Sequence, residues 1–193
     1  MSKIVLVPIT HGTEEMEAVT IIDLLRRAGI SVKVVSDKEI VKCSRGIKIL
    51  PDILFEDLDI DAEYDAIIIP GGSEGTQELI KNEYLTKILH KAKSDGKLIG
   101  AICAAPLILD TNKLVERDAK LTSHPSVKYA LEKYNYEIND VVEFENIITS
   151  RAAGTAIVFT LKVIERLLGR NVAQKVSQEI LYHFPDDYHQ INE

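Results

Sequence analysis

Apolar positions along the chain fall into two kinds of run that alternate. "KIVLVPI", residues 3–9, is a short β-branched stretch; after a turn at Gly12, "EEMEAVTIIDLLRRAG" repeats apolar residues at helical spacing up to Gly29. That pattern predicts strand, turn, helix. "SVKVVS" then alternates with period two, and "IVKCSRGIKIL" predicts two short strands around a turn at Arg45-Gly46. "YDAIIIPGG" reads as a buried strand closed by a glycine pair, "NEYLTKILHKAKSDG" as a helix stopped by Asp-Gly, and "KLIGAIC" as another buried strand. Further on, "AKLTSHPSVKYALEKY" predicts a strand, a His-Pro break and a helix, and "VVEFENIITS" two strands around Glu145-Asn146. The segment "GTAIVFTLKVIERLLGRNVAQKVSQEILYH" predicts a long helix, a break at Gly169 and a second helix.

Strands alternating with helices imply right-handed crossovers, and therefore an α/β fold whose mainly parallel sheet is covered by helices on both faces. At 193 residues, 46% hydrophobic and 27% charged, the whole of 1–193 is expected to form one globular domain without repeats or linkers. The net charge of -7, from 23 basic and 30 acidic residues, comes with no dense Lys/Arg cluster, which argues against a nucleic-acid partner. No apolar run approaches the ~20 residues that span a bilayer. The acidic "GTEEME" stands where a signal peptide would place a small-residue cleavage site, so the expected location is the cytoplasm and no membrane partner is expected.

Cys43 and Cys103 are the only cysteines; they lack C-x-x-C spacing and make neither a disulfide framework nor a zinc site. Cys103 stands where "KLIGAIC" turns straight into "AAPLIL" with no polar loop between, the place a nucleophile elbow gives to serine. Backbone N–H groups at the start of the following helix, taken to begin at Ala104, would favour the thiolate there. A buried cysteine acting as a small hydrophobe fits the local pattern equally well.

In an open parallel sheet, ligands sit beyond the carboxyl ends of the strands, and "THGTEEME", "PGGSEGT" and "CAAP" all arrive at that edge. Gly71 and Gly72 let backbone approach a ligand, and their N–H groups with that of Ala104 are candidates for an oxyanion hole. Glu14 reads as a dipole-complementing residue at a helix start, whereas Glu17 shares a helical face with Ile21 and Leu24 and so turns inward as a possible proton carrier. His124 in "TSHPS" is open between a capping role and a base, with His11 a weaker rival. Neither G-x-G-x-x-G nor the phosphate-loop pattern occurs, and no convergent metal ligands can be assembled, so neither a cofactor nor a metal is expected.

"GTEEMEAV", "DLLRRAGI", "CSRGIKI", "YDAIIIPGG", "AICAAP", "TSHPS", "NIITSRAAGTA" and "LLGRNVA", in this order over nearly the whole chain, resemble the ThiJ/PfpI superfamily and within it the DJ-one-like branch. That resemblance implies a flavodoxin-like three-layer sandwich, a homodimer, and an easily oxidised nucleophilic cysteine at Cys103. It assigns the carboxyl partner to Glu17, the nearby histidine to His124 and the oxyanion donors to Gly72 and Ala104. It places Arg45 and Arg27 near the dimer-side entrance and Arg151 in the last site loop. Two departures stand out: the family's usual Gly-Pro is Ala152-Ala153 here, and the tail from Ser177 to Glu193 runs past the family's short ending.

The expected activity is that of a cofactor-free glyoxalase or deglycase acting on methylglyoxal, glyoxal or their early protein and nucleotide adducts, giving lactate or glycolate. The alternative is a redox-sensing stress protein or chaperone working through oxidation of Cys103. A PfpI-like cysteine peptidase is the third reading.

Overall fold

The computed structural model describes residues 3–183. In chain order, β1 (Ile4–Pro8) leads into α1 (Glu15–Arg27) and β2 (Ser31–Ser36), followed by the hairpin of β3 (Val41–Lys42) and β4 (Lys48–Ile49). Next come β5 (Ile53–Leu54), β6 (Ala66–Ile69), α2 (Ser73–Ile80), α3 (Glu83–Ser94), β7 (Leu98–Ile102) and α4 (Pro106–Thr111). The last third holds β8 (Lys120–Leu121), α5 (Lys128–Leu131), β9 (Asn135–Tyr136), β10 (Val141–Phe144), β11 (Ile147–Ser150), α6 (Ala156–Leu168) and α7 (Arg170–Glu179).

Seven strands form the main sheet in the order β10-β11-β7-β6-β1-β2-β5, and only β10 runs antiparallel to its neighbour. The central strands are apolar at every position because both of their faces are covered. Side chains alternate between two cores, as period two requires. Ile68 joins Val5, Val7, Ile21, Leu25, Phe159 and Ile164 on one face, while Ile67 and Ile69 join Leu6, Leu79, Leu89, Ile99 and Ile108 on the other. Helices α1 and α6, which pack together, cover the first face, and α2 to α4 cover the second.

The expected strands and long helices are present, and the Arg45-Gly46 and Glu145-Asn146 turns join antiparallel pairs. Three local features differ from the sequence expectation. Helix α2 was not foreseen, because its N-cap is a glycine with no capping side chain and its residues show little apolar repetition. The helix after Cys103 begins at Pro106, not Ala104; residues 103–105 are a hydrogen-bonded turn, in which Ala105 N–H reaches the Ile102 carbonyl at 3.0 Å. Proline at the first position suits that start, since its missing N–H would have had no helical partner. After His124 the chain makes a 3-10 turn over Pro125–Val127 before the short α5. The part of the long tail from 184 to 193 lies outside the described residues.

Candidate active site

Parallel strands numbered in chain order sit as 3-2-1-4-5-6 across β5-β2-β1-β6-β7-β11, so the winding direction reverses between β1 and β6. The loops leaving those two strands therefore part and open a crevice at their carboxyl ends. The loop after β1 supplies Glu14 and, one turn into α1, Glu17; the loop after β6 supplies Gly71 and Gly72; β7 ends at Cys103.

Cys103 has φ 65°, a left-handed backbone that a non-glycine residue adopts at a cost. The elbow is held on both sides: its N–H donates to the Ser150 carbonyl of β11 at 3.0 Å, and its carbonyl accepts the His124 N–H at 2.8 Å. The thiol is thereby turned from the strand end into the crevice, where it is half-buried. Backbone N–H groups of Gly72 and Ala104 both hydrogen-bond the sulfur.

Glu17 lies 1% exposed on the inward face of α1, as its helical phase predicted. Its Oε2 accepts the Gly71 N–H at 2.7 Å, and the carboxyl group faces the Cys103 thiol. Oε1 is buried without a conventional hydrogen-bond partner. Burial pushes the Glu17 carboxyl up to about 7, against the Gly71 and Cys103 hydrogen bonds and with help from the Glu14 charge. Burial and the Glu17 carboxylate together push the Cys103 thiol up to about 12, against the Gly72 and Ala104 N–H groups. The two groups each work against the charge of the other. While Glu17 is charged the sulfur keeps its hydrogen; with the proton on Glu17, the like-charge repulsion is gone and the carboxyl becomes a donor to the thiolate. Glu17 is therefore the group whose titration near neutrality governs the pair.

Gly71 has a different duty from the expected one, since its N–H is committed to Glu17 and leaves Gly72 and Ala104 as the donors at sulfur. A Cβ at Gly71 would stand 2.5 Å from the Cys103 Cβ and 2.8 Å from Glu17 Oε2. Gly71→Ala is accordingly expected to destabilise the fold by about 1–3 kcal/mol and to separate the acid from the thiol. Thermal unfolding beside the alkylation rate of Cys103 measures both effects. Gly72 has φ 97°, and a Cβ there would collide with the Gly12 carbonyl oxygen.

His124 reaches the site through its backbone. The ring is turned to Ser126, with Nδ1 at 2.8 Å from Ser126 Oγ and accepting the Ser126 N–H at 3.2 Å. An accepting Nδ1 assigns the proton of the neutral ring to Nε2, making that edge a donor. Arg45 lies exposed in the β3–β4 turn, which Glu15 clamps from the start of α1: Glu15 accepts Ser44 Oγ–H at 2.7 Å and Arg45 N–H at 2.8 Å. Burial works to raise the Glu15 carboxyl, but these hydrogen bonds outweigh it and hold the group below the ordinary carboxylate range. Sequence reading missed this clamp, because its partners are backbone and hydroxyl groups 29 and 30 residues away. Arg27 is exposed in the last turn of α1, paired with Asp23 at 2.6 Å. It stands roughly 15 Å along the helix from Glu17 and does not join the site of its own chain.

Arg151 follows β11 directly; its N–H donates to Thr155 Oγ1 at 3.2 Å, and its Nε is buried without a partner. Thr155 also accepts the Ala152 N–H at 3.1 Å and donates to the Ala152 carbonyl at 2.9 Å, so the loop stays fastened with Ala152-Ala153 in place of Gly-Pro. Cys43 is buried in the first core with its thiol pushed up to about 11 by burial and the Glu15 and Glu14 charges. Among the described residues no three His, Cys, Asp or Glu side chains gather as metal ligands, and no helix is long and apolar enough to cross a membrane.

The profile of the DJ-1/PfpI family matches residues 3–166. The chain belongs to the DJ-1/PfpI family. Among its relatives, the Drosophila melanogaster protein dj-1beta is 41% identical over 185 residues, covering 94% of this chain and 98% of that one. The crystal structure of DJ-1beta superposes with a TM-score of 0.91 at 39% identity, covering 95% of this chain and all of the other. An oxidized Toxoplasma gondii DJ-1 superposes with a TM-score of 0.89 at 38% identity, covering 95% and 100% of the two chains. A Caenorhabditis elegans relative, 36% identical over 171 residues and covering 87% and 89% of the two chains, is named a glutathione-independent glyoxalase. The shared fold accounts for the mostly parallel sheet with its covering helices.

Proposed function

We propose that this DJ-1/PfpI protein is a cysteine-dependent glyoxalase that converts methylglyoxal to lactate, and glyoxal to glycolate, without glutathione. Early protein and nucleotide adducts of these aldehydes are substrates of the same chemistry. The observation that carries the reading is the Glu17–Cys103 pair, a buried carboxyl pushed up to about 7 that faces a thiol at a left-handed elbow, with the Gly72 and Ala104 N–H groups favouring an anion at the sulfur. The name of the nematode relative supports it.

In this mechanism the Cys103 thiolate attacks the aldehyde carbon, and the carbonyl electrons become an oxyanion that takes the proton to give a hemithioacetal. The N–H groups of Gly72 and Ala104, which favour an anion at this position, are the donors for the developing negative charge. Glu17, now a carboxylate, removes the hydrogen of the former aldehyde carbon as a proton and returns it to the neighbouring carbonyl carbon through an enediol. The first carbon is oxidised to a thioester and the second reduced to an alcohol, so electrons balance within the substrate and no electron carrier is needed. Water cleaves the thioester, releasing lactate and restoring the pair. Lactate formation from methylglyoxal with glutathione absent tests the proposal, and no lactate from well-folded protein contradicts it.

A second reading uses the same donors. Three groups converge on the sulfur, and a sulfinate at Cys103 would find its oxygens hydrogen-bonded by Glu17, Gly72 and Ala104. Selective gain of two oxygens under mild peroxide, with no turnover of methylglyoxal, would favour a redox sensor.

For the homodimer, the outward face of α1 and the adjoining hairpin are the surface we assign to a second copy. Met16, Val19, Ile47 and Leu50 are 62%, 51%, 55% and 74% exposed there, beside Asp23 and Arg27 on one helix. Two such helices packed antiparallel about a two-fold axis set opposite charges against each other, as a self-complementary interface needs. Val19→Asp with Leu50→Asp is expected to convert a dimer to a folded monomer in light scattering. A wild-type monomer at tens of micromolar overturns the assignment.

A further inference from the structure

Glu14 begins as an ordinary helix cap, yet its hydrogen bonds close a ring around the acid of the site. Its backbone N–H donates to the Gly71 carbonyl at 2.9 Å. Gly71 N–H in turn donates to Glu17 Oε2 at 2.7 Å. The ring closes where the Glu17 N–H donates to Glu14 Oε2 at 2.8 Å. Each of the three residues thus holds the next, and among the described residues the Glu14 carboxylate is the side chain that fixes the backbone of Glu17. We propose that Glu14 is a positioning residue of this site: it locks the Glu17 carboxyl onto Gly71 and toward Cys103, and its negative charge keeps the proton on Glu17.

Three arguments support this role. A carboxylate at an N-cap ordinarily serves the whole helix, and any of Ser, Thr, Asp or Asn does so with a shorter side chain. Here the amide it caps belongs to the acid itself, so a slip of the cap is transmitted to the acid without an intervening residue. Charge points the same way: among the described residues the ionisable groups acting on Glu17 are Glu14 and Cys103, since the loop after β6 meets it with the Gly71 backbone and the Glu15 carboxylate is turned to Ser44 and Arg45. A negative group facing a buried acid favours the acid's protonated form. Glu14 is also half-buried, which limits screening of its charge by solvent.

The inference rests on the glyoxalase reading only for its kinetic consequence, and its test separates the two. The pH dependence of Cys103 alkylation by iodoacetamide is measured for wild type, Glu14→Gln and Glu14→Ala, together with kcat and KM for lactate formation. Both variants lose the charge, so both should move the inflection of the alkylation profile to lower pH. Glutamine keeps an oxygen to accept the Glu17 N–H and alanine does not, so Glu14→Ala should show a kcat about tenfold below Glu14→Gln at a similar KM. A purely structural cap would lower the melting temperature and leave the alkylation profile in place. Profiles of both variants superimposing on wild type overturn the proposal, as does equal kcat in the two variants. Alkylation needs no turnover, so if no protein, wild type included, makes lactate, the glyoxalase reading fails and the alkylation profile alone decides the role of Glu14.

Discussion

Cys103→Ser should lower lactate formation by about 10³-fold or more while leaving the fold intact. Serine is smaller than cysteine and tolerates the same backbone, so the elbow at φ 65° and its bonds to Ser150 and His124 should persist. What is lost is ionisation. A thiol whose anion is favoured by two N–H groups can give up its proton as it attacks, but a hydroxyl is a much weaker acid and a poorer nucleophile. The serine oxygen also forms an ester where cysteine forms a more reactive thioester, so release slows as well. Circular dichroism matched to wild type, with lactate measured over long incubations, checks the effect. Activity of the serine variant within tenfold of wild type would remove the sulfur from the mechanism.

Glu17→Gln should separate stability from activity. In the folded protein the Glu17 carboxyl is pushed up to about 7, from an ordinary value of 4.5. The folded state therefore binds the proton more tightly than the unfolded chain, and its contribution is full below pH 4.5, where both states are protonated. That contribution is lost progressively as pH rises through the folded pKa, and above about 7 the protein carries the whole cost of a buried carboxylate. The difference corresponds to roughly 3 kcal/mol at most. Glutamine keeps an oxygen for the Gly71 N–H and offers an N–H to the sulfur, so the variant should match wild type in stability at pH 4 and exceed it at pH 8. Its kcat should fall on the order of 10²–10³-fold, because an amide carries no proton between carbons. Denaturant unfolding at the two pH values beside the lactate assay measures both. Equal stability at pH 8 would contradict the raised pKa, and unchanged kcat would contradict the proton transfer.

The two variants rest on parts of the molecule that were unequally legible in the sequence. Strands β1, β6 and β7 are continuous apolar runs, and a strand buried on both faces can hardly read otherwise. The inward turn of Glu17 followed from helical phase alone, because α1 is regular from its first turn. Gly71 was placed at the right edge but given the wrong duty. Which N–H meets which oxygen depends on a contact across 54 residues, and no local pattern records it. The orientation of the His124 ring was closer to hand, since its partner Ser126 lies two residues on and a short hydroxyl side chain readily bonds such a neighbour. The start of α4 was misjudged by two residues because the thiol turn has apolar residues that read as helix, whereas Pro106 marks the true first turn. Glu14 and Glu15 looked alike as acidic residues at a helix start. Only the fold distinguishes them, one closing a ring onto Glu17 and the other gripping the β3–β4 turn.

The central claim is that the sulfur of Cys103 carries the substrate covalently while Glu17 moves its proton. Rapid quenching of the protein with methylglyoxal in acid, followed by peptide mass analysis, tests it most directly. The account predicts that the peptide containing Cys103 gains the mass of one methylglyoxal within the first turnover, that the Cys43 peptide does not, and that the adduct decays at the rate at which lactate appears. In Glu17→Gln the adduct should form and persist as the hemithioacetal. Lactate appearing with no adduct on Cys103 at any quench time would contradict the account.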